Sequence, residues 1–137
     1  MPEYMLLLYR SEVDEAGQAD RLSEMPLWDE VNESLREAGM LVASAPLHPV
    51  ASATTVRVRN DDVELTDGPF AVTKEILAGY YILDCRDLDE ALKHAARLPL
   101  ATYGSVEVRP VMDVSELRAR SLPLSGTAKA GREAAES

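Results

Sequence analysis

The sequence predicts a single α+β domain in which two helices lie on one face of an antiparallel sheet. Three observations carry this reading. Short apolar or alternating runs recur at residues 4–9, 40–45, 54–59, 63–66, 77–85 and 105–109, separated by stretches rich in Pro, Gly, Asn and Asp. Two of the intervening stretches have helical periodicity instead. A length of 137 residues with 46% hydrophobic content is enough for one core and leaves little for a second.

The first run, Tyr4-Met5-Leu6-Leu7-Leu8-Tyr9, has no polar alternation and suits a strand buried on both faces. Residues 11–24 are polar and acidic around Gly17 and read as a loop with room for one helical turn. From Pro26 the spacing becomes helical: Trp28, Val31, Leu35 and Ala38 share one side, and Asp29, Glu30, Asn32, Glu33, Arg36 and Glu37 take the other. Pro26 fits the first turn, where its missing N–H costs nothing, and Gly39 fits the left-handed position just past the end. Residues 40–45 form a strand that Pro46 and Pro49 terminate. Residues 54–59 and 63–66 alternate on either side of Asn60-Asp61-Asp62, which makes them a β-hairpin. Asp67-Gly68-Pro69-Phe70 is a further turn, and residues 77–85, rich in Tyr and Ile, form a central strand.

Asp87 then caps a second helix, with Glu90 three residues later in capping-box spacing and Leu88, Ala91, Leu92 and Ala95 as its buried stripe. Pro99 ends that helix. The last strand places Val106 and Val108 on one face and Glu107 and Arg109 on the other. From residue 115 the chain turns polar and loses any apolar stripe. We therefore read residues 1–114 as the domain and 115–137 as a flexible tail holding at most a frayed helix. The order β-α-β, hairpin, β-α-β matches the split-βαβ, ferredoxin-like plan. Both helices then cover one sheet face, and the other is hydrated or covered by something else.

Charge and composition restrict function. With 24 Asp+Glu against 14 Lys+Arg, the net charge of −10 repels a phosphate backbone, so direct nucleic-acid binding is not expected. The N-terminus has its cation after the apolar run rather than before it, and no run approaches the ~20 residues of a membrane helix; neither a secretory leader nor a membrane anchor is expected. The single Cys85 leaves no intramolecular disulfide, which suits a reducing, cytoplasmic compartment. There is no glycine-rich nucleotide loop and no nucleophile elbow, and His48 and His94 have no spaced partners, so neither a cofactor nor a metal is expected.

A few residues have side chains suited to chemistry. Asp67 lies at a turn between strands, where a carboxylate can serve as general base or bind a hydroxyl or cationic group; it can equally accept hydrogen bonds from its own turn. His48, between Leu47 and Pro49, supplies an imidazole if its loop folds over a cavity, and is otherwise a solvated loop residue. Arg57, Arg59, Glu107 and Arg109 occupy the polar faces of alternating strands, where a guanidinium fork can hold a carboxylate or phosphate and where cross-strand ion pairing is the simpler use. Trp28 belongs to the apolar stripe of the first helix but can line a pocket with its indole N–H. Cys85 reads as a buried small hydrophobe, His94 as solvent-exposed, and Gly79 as a site of close backbone packing.

Several of these segments carry a resemblance. Ala53-Thr54-Thr55-Val56-Arg57, the tetrapeptide Asp67-Gly68-Pro69-Phe70, Thr73-Lys74-Glu75, Gly79-Tyr80-Tyr81, Asp89-Glu90-Ala91-Leu92 and Gly104-Ser105-Val106-Glu107-Val108-Arg109-Pro110 occur in an order that resembles the YCII-related family, DGPF branch, over residues 4 to 112. The resemblance implies a ferredoxin-like subunit pairing into a dimeric α/β barrel, hence a homodimer, with a cavity beside the sheet. Some members carry a His on the first helix and an Asp near its end; those positions fall here on Trp28 and Glu37, which removes the proton carrier of that pair. Val72 also departs from the branch, which usually has an acidic residue there. Two functions follow as expectations. One is a dimeric protein that binds a small polar or anionic molecule at Asp67, Arg57, Arg109, Glu107, Trp28 and His48, with lyase- or isomerase-like chemistry as an extension. The other is a non-catalytic interaction or regulatory module, which the family's association with extracytoplasmic-function sigma factors would connect to transcription.

Overall fold

A computed structural model describes residues 1–12, 17 and 21–125. In chain order its elements are β1 (Glu3–Arg10), α1 (Met25–Glu37), β2 (Leu41–Pro46), β3 (Thr54–Arg59), β4 (Asp62–Asp67), β5 (Ile76–Asp84), α2 (Leu88–Ala95), β6 (Ser105–Pro110) and α3 (Val114–Ser125). Single 3-10 turns at Val50–Ser52 and Pro99–Thr102 link them.

Alternation in the strands decides which side chains meet. β1 pairs antiparallel with β5 and with β6, and β2 pairs antiparallel with β5, which gives a four-stranded sheet in the order β2-β5-β1-β6. The strands β1 and β2, joined through α1, therefore point the same way with β5 between them. β5 and β6, joined through α2, do the same with β1 between them. Register sets Leu6 opposite Tyr81 and Val108, Leu8 opposite Gly79 and Val106, and Tyr4 opposite Leu83. These residues share one face with the helices, where Leu6, Leu83 and Cys85 pack with Leu35 of α1, Ala91 and Ala95 of α2, and Leu98 after it. Burying a leucine-sized side chain there contributes on the order of 1.5–3 kcal/mol.

Among the described residues, no element covers the opposite face. Met5, Leu7 and Tyr9 lie across from Ile82, Tyr80 and Leu77, with Arg109, Glu107 and Ser105 along the β6 edge. This corrects the reading of β1 as buried on both sides: Tyr4, Leu6 and Leu8 are buried, whereas Met5, Leu7 and Tyr9 are half-buried. The helical stripes are also narrower than predicted. Ala38 ends α1 as an exposed cap residue, and the eight-residue α2 buries Ala91 and Ala95 but leaves Leu88 and Leu92 exposed. A short helix turns only part of its apolar arc inward, and the small alanines let its backbone approach the sheet.

Caps and turns follow the sequence closely. Gly39 has φ +72°, and its N–H and that of Met40 bond to the carbonyls of Arg36 (2.9 Å) and Leu35 (3.0 Å), closing α1. β3 and β4 form a separate two-stranded sheet around Asn60 and Asp61, both at positive φ (52° and 66°), the geometry of a two-residue type I′ turn. α3 occupies the start of the segment read as a tail; residues 126–137 of that tail, and residues 13–16 and 18–20 of the acidic loop, lie outside the described residues. Among the described residues, no helix is long and apolar enough to cross a membrane.

Candidate functional site

The sheet comes close to its own backbone at the β2–β5 corner, and this opens a space beneath α1. Gly79 of β5 faces the core, and a Cβ there would lie 2.8 Å from the Ala45 carbonyl oxygen, so only glycine lets β2 approach this closely. Its neighbours are small as well, Ser44 and Ala45 on β2 and Ala78 on β5. Little rises from the sheet to meet α1, and a cavity of about 420 Å³ remains, lined among others by Leu8, Trp28, Asn32, Ser44, Tyr81 and Tyr103.

One wall is aromatic. Trp28 of α1 and Tyr81 of β5 stack with ring centroids 6.3 Å apart and planes 14° from parallel. The Tyr81 hydroxyl donates to Asn32 Oδ1, four residues along α1 from Trp28. Burial raises the Tyr81 pKa, while the Asn32 bond and the Arg36 charge oppose the rise. The phenol therefore remains a neutral donor.

The opposite corner is polar and charged. Arg10 at the end of β1, Arg21 and Glu24 before α1, and Tyr103 after the Pro99–Thr102 turn all line the cavity. Tyr103 donates to Glu24 Oε1 at 2.8 Å, Arg21 and Glu24 form an ion pair at 3.6 Å, and the Arg21 guanidinium stands 3.6 Å from the centre of the Tyr103 ring. Burial, then the hydrogen bond to Glu24 and its charge, push the Tyr103 hydroxyl up to about 12, against the opposing pull of Arg21 and Arg10. Two guanidinium groups thus accompany one bonded carboxylate, with Asp29 exposed at the rim. The Arg21 Nε is buried and has no acceptor among the described residues, so an acceptor brought by a ligand would satisfy it.

Of the residues singled out from sequence, Trp28 lines this cavity. His48 sits in the exposed loop after β2, between the lining residues Leu47 and Pro49 but not itself in the lining. Asp67 is exposed at the end of β4 opposite Thr54, and Arg57 is exposed on β3 opposite Glu64. Glu107 and Arg109 are exposed on the open sheet face, opposite Leu7 and Met5. Within one chain these five groups converge on no common cavity. The turn after Asp67 is held by the Gly68 N–H on the Ala53 carbonyl (2.7 Å) and by the Thr55 hydroxyl on the Gly68 carbonyl (2.8 Å), and neither bond uses the Asp67 carboxylate. Gly68 and Pro69 instead border a smaller cleft of about 220 Å³ together with Arg10 and Glu12, so Arg10 touches both spaces.

Cys85 is fully buried, and burial followed by the charges of Glu90, Asp84 and Asp87 raises its thiol pKa, the opposite of an activated nucleophile. His94 is half-buried rather than exposed; burial and then Arg97, whose guanidinium lies 3.0 Å from Nδ1, lower its pKa. Among the described residues, no group of three His, Cys, Asp or Glu side chains is placed to hold a metal.

Sequence reasoning missed Arg21, Glu24, Asn32, Tyr81 and Tyr103. The first two lie in a stretch without periodicity, and Tyr81 reads as a strand residue of either face until its register is known.

The site and its frame define an α+β sheet-and-helix domain with one aromatic, partly basic cavity. A family model for the YCII-related domain matches residues 3–115, and the chain belongs to that family. A protein of Rhizobium meliloti (strain 1021), described as uncharacterized, is 39% identical over 112 residues, which cover 79% of this chain and 90% of that relative.

Proposed function

We propose that this YCII-related protein binds a small molecule with an aromatic or apolar body and an anionic end in the cavity beneath α1. The observation that carries this reading is the pairing of the Trp28–Tyr81 stack with the Arg10–Arg21 corner across one cavity of about 420 Å³. Ligand sites typically combine such apolar walls with a few fixed polar groups. The stack holds a flat body, and the guanidinium groups receive a carboxylate or phosphate, as planar donors do best. Turnover of a lyase or isomerase kind would require a proton acceptor. Glu24 is the carboxylate hydrogen-bonded in this corner, but it is already engaged by Arg21 and Tyr103, so binding ranks ahead of catalysis. The strand order and directions support a ferredoxin-like subunit, and the uncovered sheet face supports a homodimer of the barrel type. The single buried cysteine is in keeping with a cytoplasmic setting.

Trp28 is the one tryptophan of the chain, so its fluorescence reports on the cavity alone. Benzoate, 4-hydroxybenzoate and salicylate serve as probes, with uncharged benzamide as the control. At least one of the acids should change the emission saturably and benzamide should not. Arg21→Gln should weaken that binding by about 10–100-fold, the usual loss for one charge-assisted hydrogen bond. Linear, unsaturable responses to all three acids, or equal binding of benzamide, would overturn the reading.

A further inference from the structure

The β3–β4 hairpin divides its residues into two faces. Register pairs Arg57 with Glu64 and Arg59 with Asp62 on one face, and Val56 with Leu65 and Val58 with Val63 on the other. Between the Thr54–Asp67 pair at its open end and the turn at the other, the second face is apolar and wet: Val56, Val58, Val63 and Leu65 are 60, 58, 66 and 69% exposed. Two strands without a packed face are marginal in water at best, yet this pair has a well-formed turn and a full six-residue register. Four β-branched or leucine side chains placed in cross-strand contact and left uncovered are a surface in need of a partner.

The same chain has a second unpartnered apolar surface. On the open sheet face, Met5, Leu7, Tyr9, Tyr80 and Ile82 make an apolar centre, with charges along its β6 edge and at its Glu3–Asp84 end. Size argues that the two surfaces belong to one interface. The four strands, six to nine residues long, span roughly 450 Å² of sheet and the hairpin roughly 200 Å², so neither alone reaches the about 800 Å² per partner of a stable interface, whereas together they approach it.

We propose that the hairpin is an arm exchanged between two copies of this chain, its Val56, Val58, Val63 and Leu65 face lying on the partner subunit and continuous with the sheet-face contact. A two-fold axis gives each copy the same pair of contacts, so both apolar surfaces are covered at once and the assembly closes at two chains. The proposal rests on the homodimer reading above for the identity of the partner and adds the hairpin to that interface.

Sedimentation of the full chain and of a Val58→Glu, Leu65→Glu double variant separates the two ideas. These side chains are exposed in the monomer, so the substitutions leave its core intact, and the Trp28 emission verifies this. The wild type should sediment as twice 15.0 kDa. The variant should show a dimer dissociation constant raised at least about tenfold, because each buried valine-sized side chain is worth more than the 1.4 kcal/mol of one decade. Hydrogen exchange provides an independent readout: amides of residues 54–67 should be protected in the wild-type dimer and lose that protection in the variant. A dimer whose dissociation constant and hairpin exchange are unchanged in the variant would overturn the arm while leaving the homodimer standing. A monomeric wild type at high concentration would overturn both, and would leave the cavity reading untouched.

Discussion

Tyr103 joins the cavity to the physical chemistry most directly. Its half-buried side chain donates to a carboxylate, and its pKa stands at about 12 instead of the ordinary 10.0. The folded protein therefore holds this proton more tightly than the unfolded chain does. The resulting stabilisation is complete below about pH 10 and is lost as the pH rises through about 12. Urea unfolding at pH 9 and pH 11 should show a larger fall in stability for the wild type than for Tyr103→Phe. Tyr81 is also raised, but it contributes to both proteins and cancels in the difference. Equal falls would mean that Tyr103 titrates as an ordinary phenol and that Glu24 does not hold it. At this scale the sequence revealed Trp28 and little else of the cavity, for a physical reason. Arg21, Glu24 and Tyr103 are about eighty positions apart along the chain at their widest, and they meet only because the Pro99–Thr102 turn returns beside the entry to α1. Asp67 attracted attention as a carboxylate at a turn, and Arg57 as a guanidinium on the polar face of an alternating strand. Their surroundings within one chain are solvent and each other's strands.

Elements were far more legible than sites, because periodicity and capping are local. The spacing of Asp87 and Glu90 announced α2, and the structure gives the bonds their partners: Asp87 Oδ1 accepts the Glu90 N–H at 2.9 Å, and Glu90 Oε1 accepts the N–H of Arg86 at 2.8 Å, one residue earlier than a strict capping box. An eight-residue helix depends heavily on such an end, so Asp87→Ala should cost about 1 kcal/mol, read as a lower urea midpoint with unchanged slope, and Asp87→Asn should recover most of it. A full-sized loss in Asp87→Asn would point to the charge and not the cap. α3 shows where local reading stops. Asp113 and Glu116 have the same spacing, and Asp113 Oδ1 does accept the Glu116 N–H at 3.2 Å and the Ser115 hydroxyl at 2.6 Å, which lowers the Asp113 pKa. The reading of residues 115–137 as a tail rested on the missing apolar stripe and did not consider this cap. β1 failed in the other direction. A continuous apolar run said nothing about which face a helix would cover, and its outer face proved to be the floor of an open surface.

Across the whole molecule, charge acts most widely. A net charge of −10 on one small domain is a self-repulsion that opposes the compact state, and salt screens it over a Debye length of about 8–10 Å near physiological ionic strength. Salt also weakens favourable ion pairs, so the sign of its effect depends on which contribution is larger. Ion pairs among the described residues include Arg21–Glu24, Arg36–Glu33 and Arg86–Glu90, each between side chains three or four positions apart and none between fully buried partners. Pairs of this kind contribute about 0–1 kcal/mol apiece. Ten uncompensated negative charges act on every part of the fold, whereas those three pairs act locally, so relief of repulsion should win. Urea midpoints should therefore rise between about 20 mM and about 500 mM sodium chloride, with most of the gain made by the salt at which the Debye length falls below the spacing of surface carboxylates. Sodium sulfate complicates the reading because it also strengthens apolar burial, which makes chloride the cleaner probe. A midpoint that falls with chloride would mean that attraction outweighs repulsion, and would direct attention to the Arg10–Arg21–Glu24 corner as the place where charge is arranged rather than merely in excess.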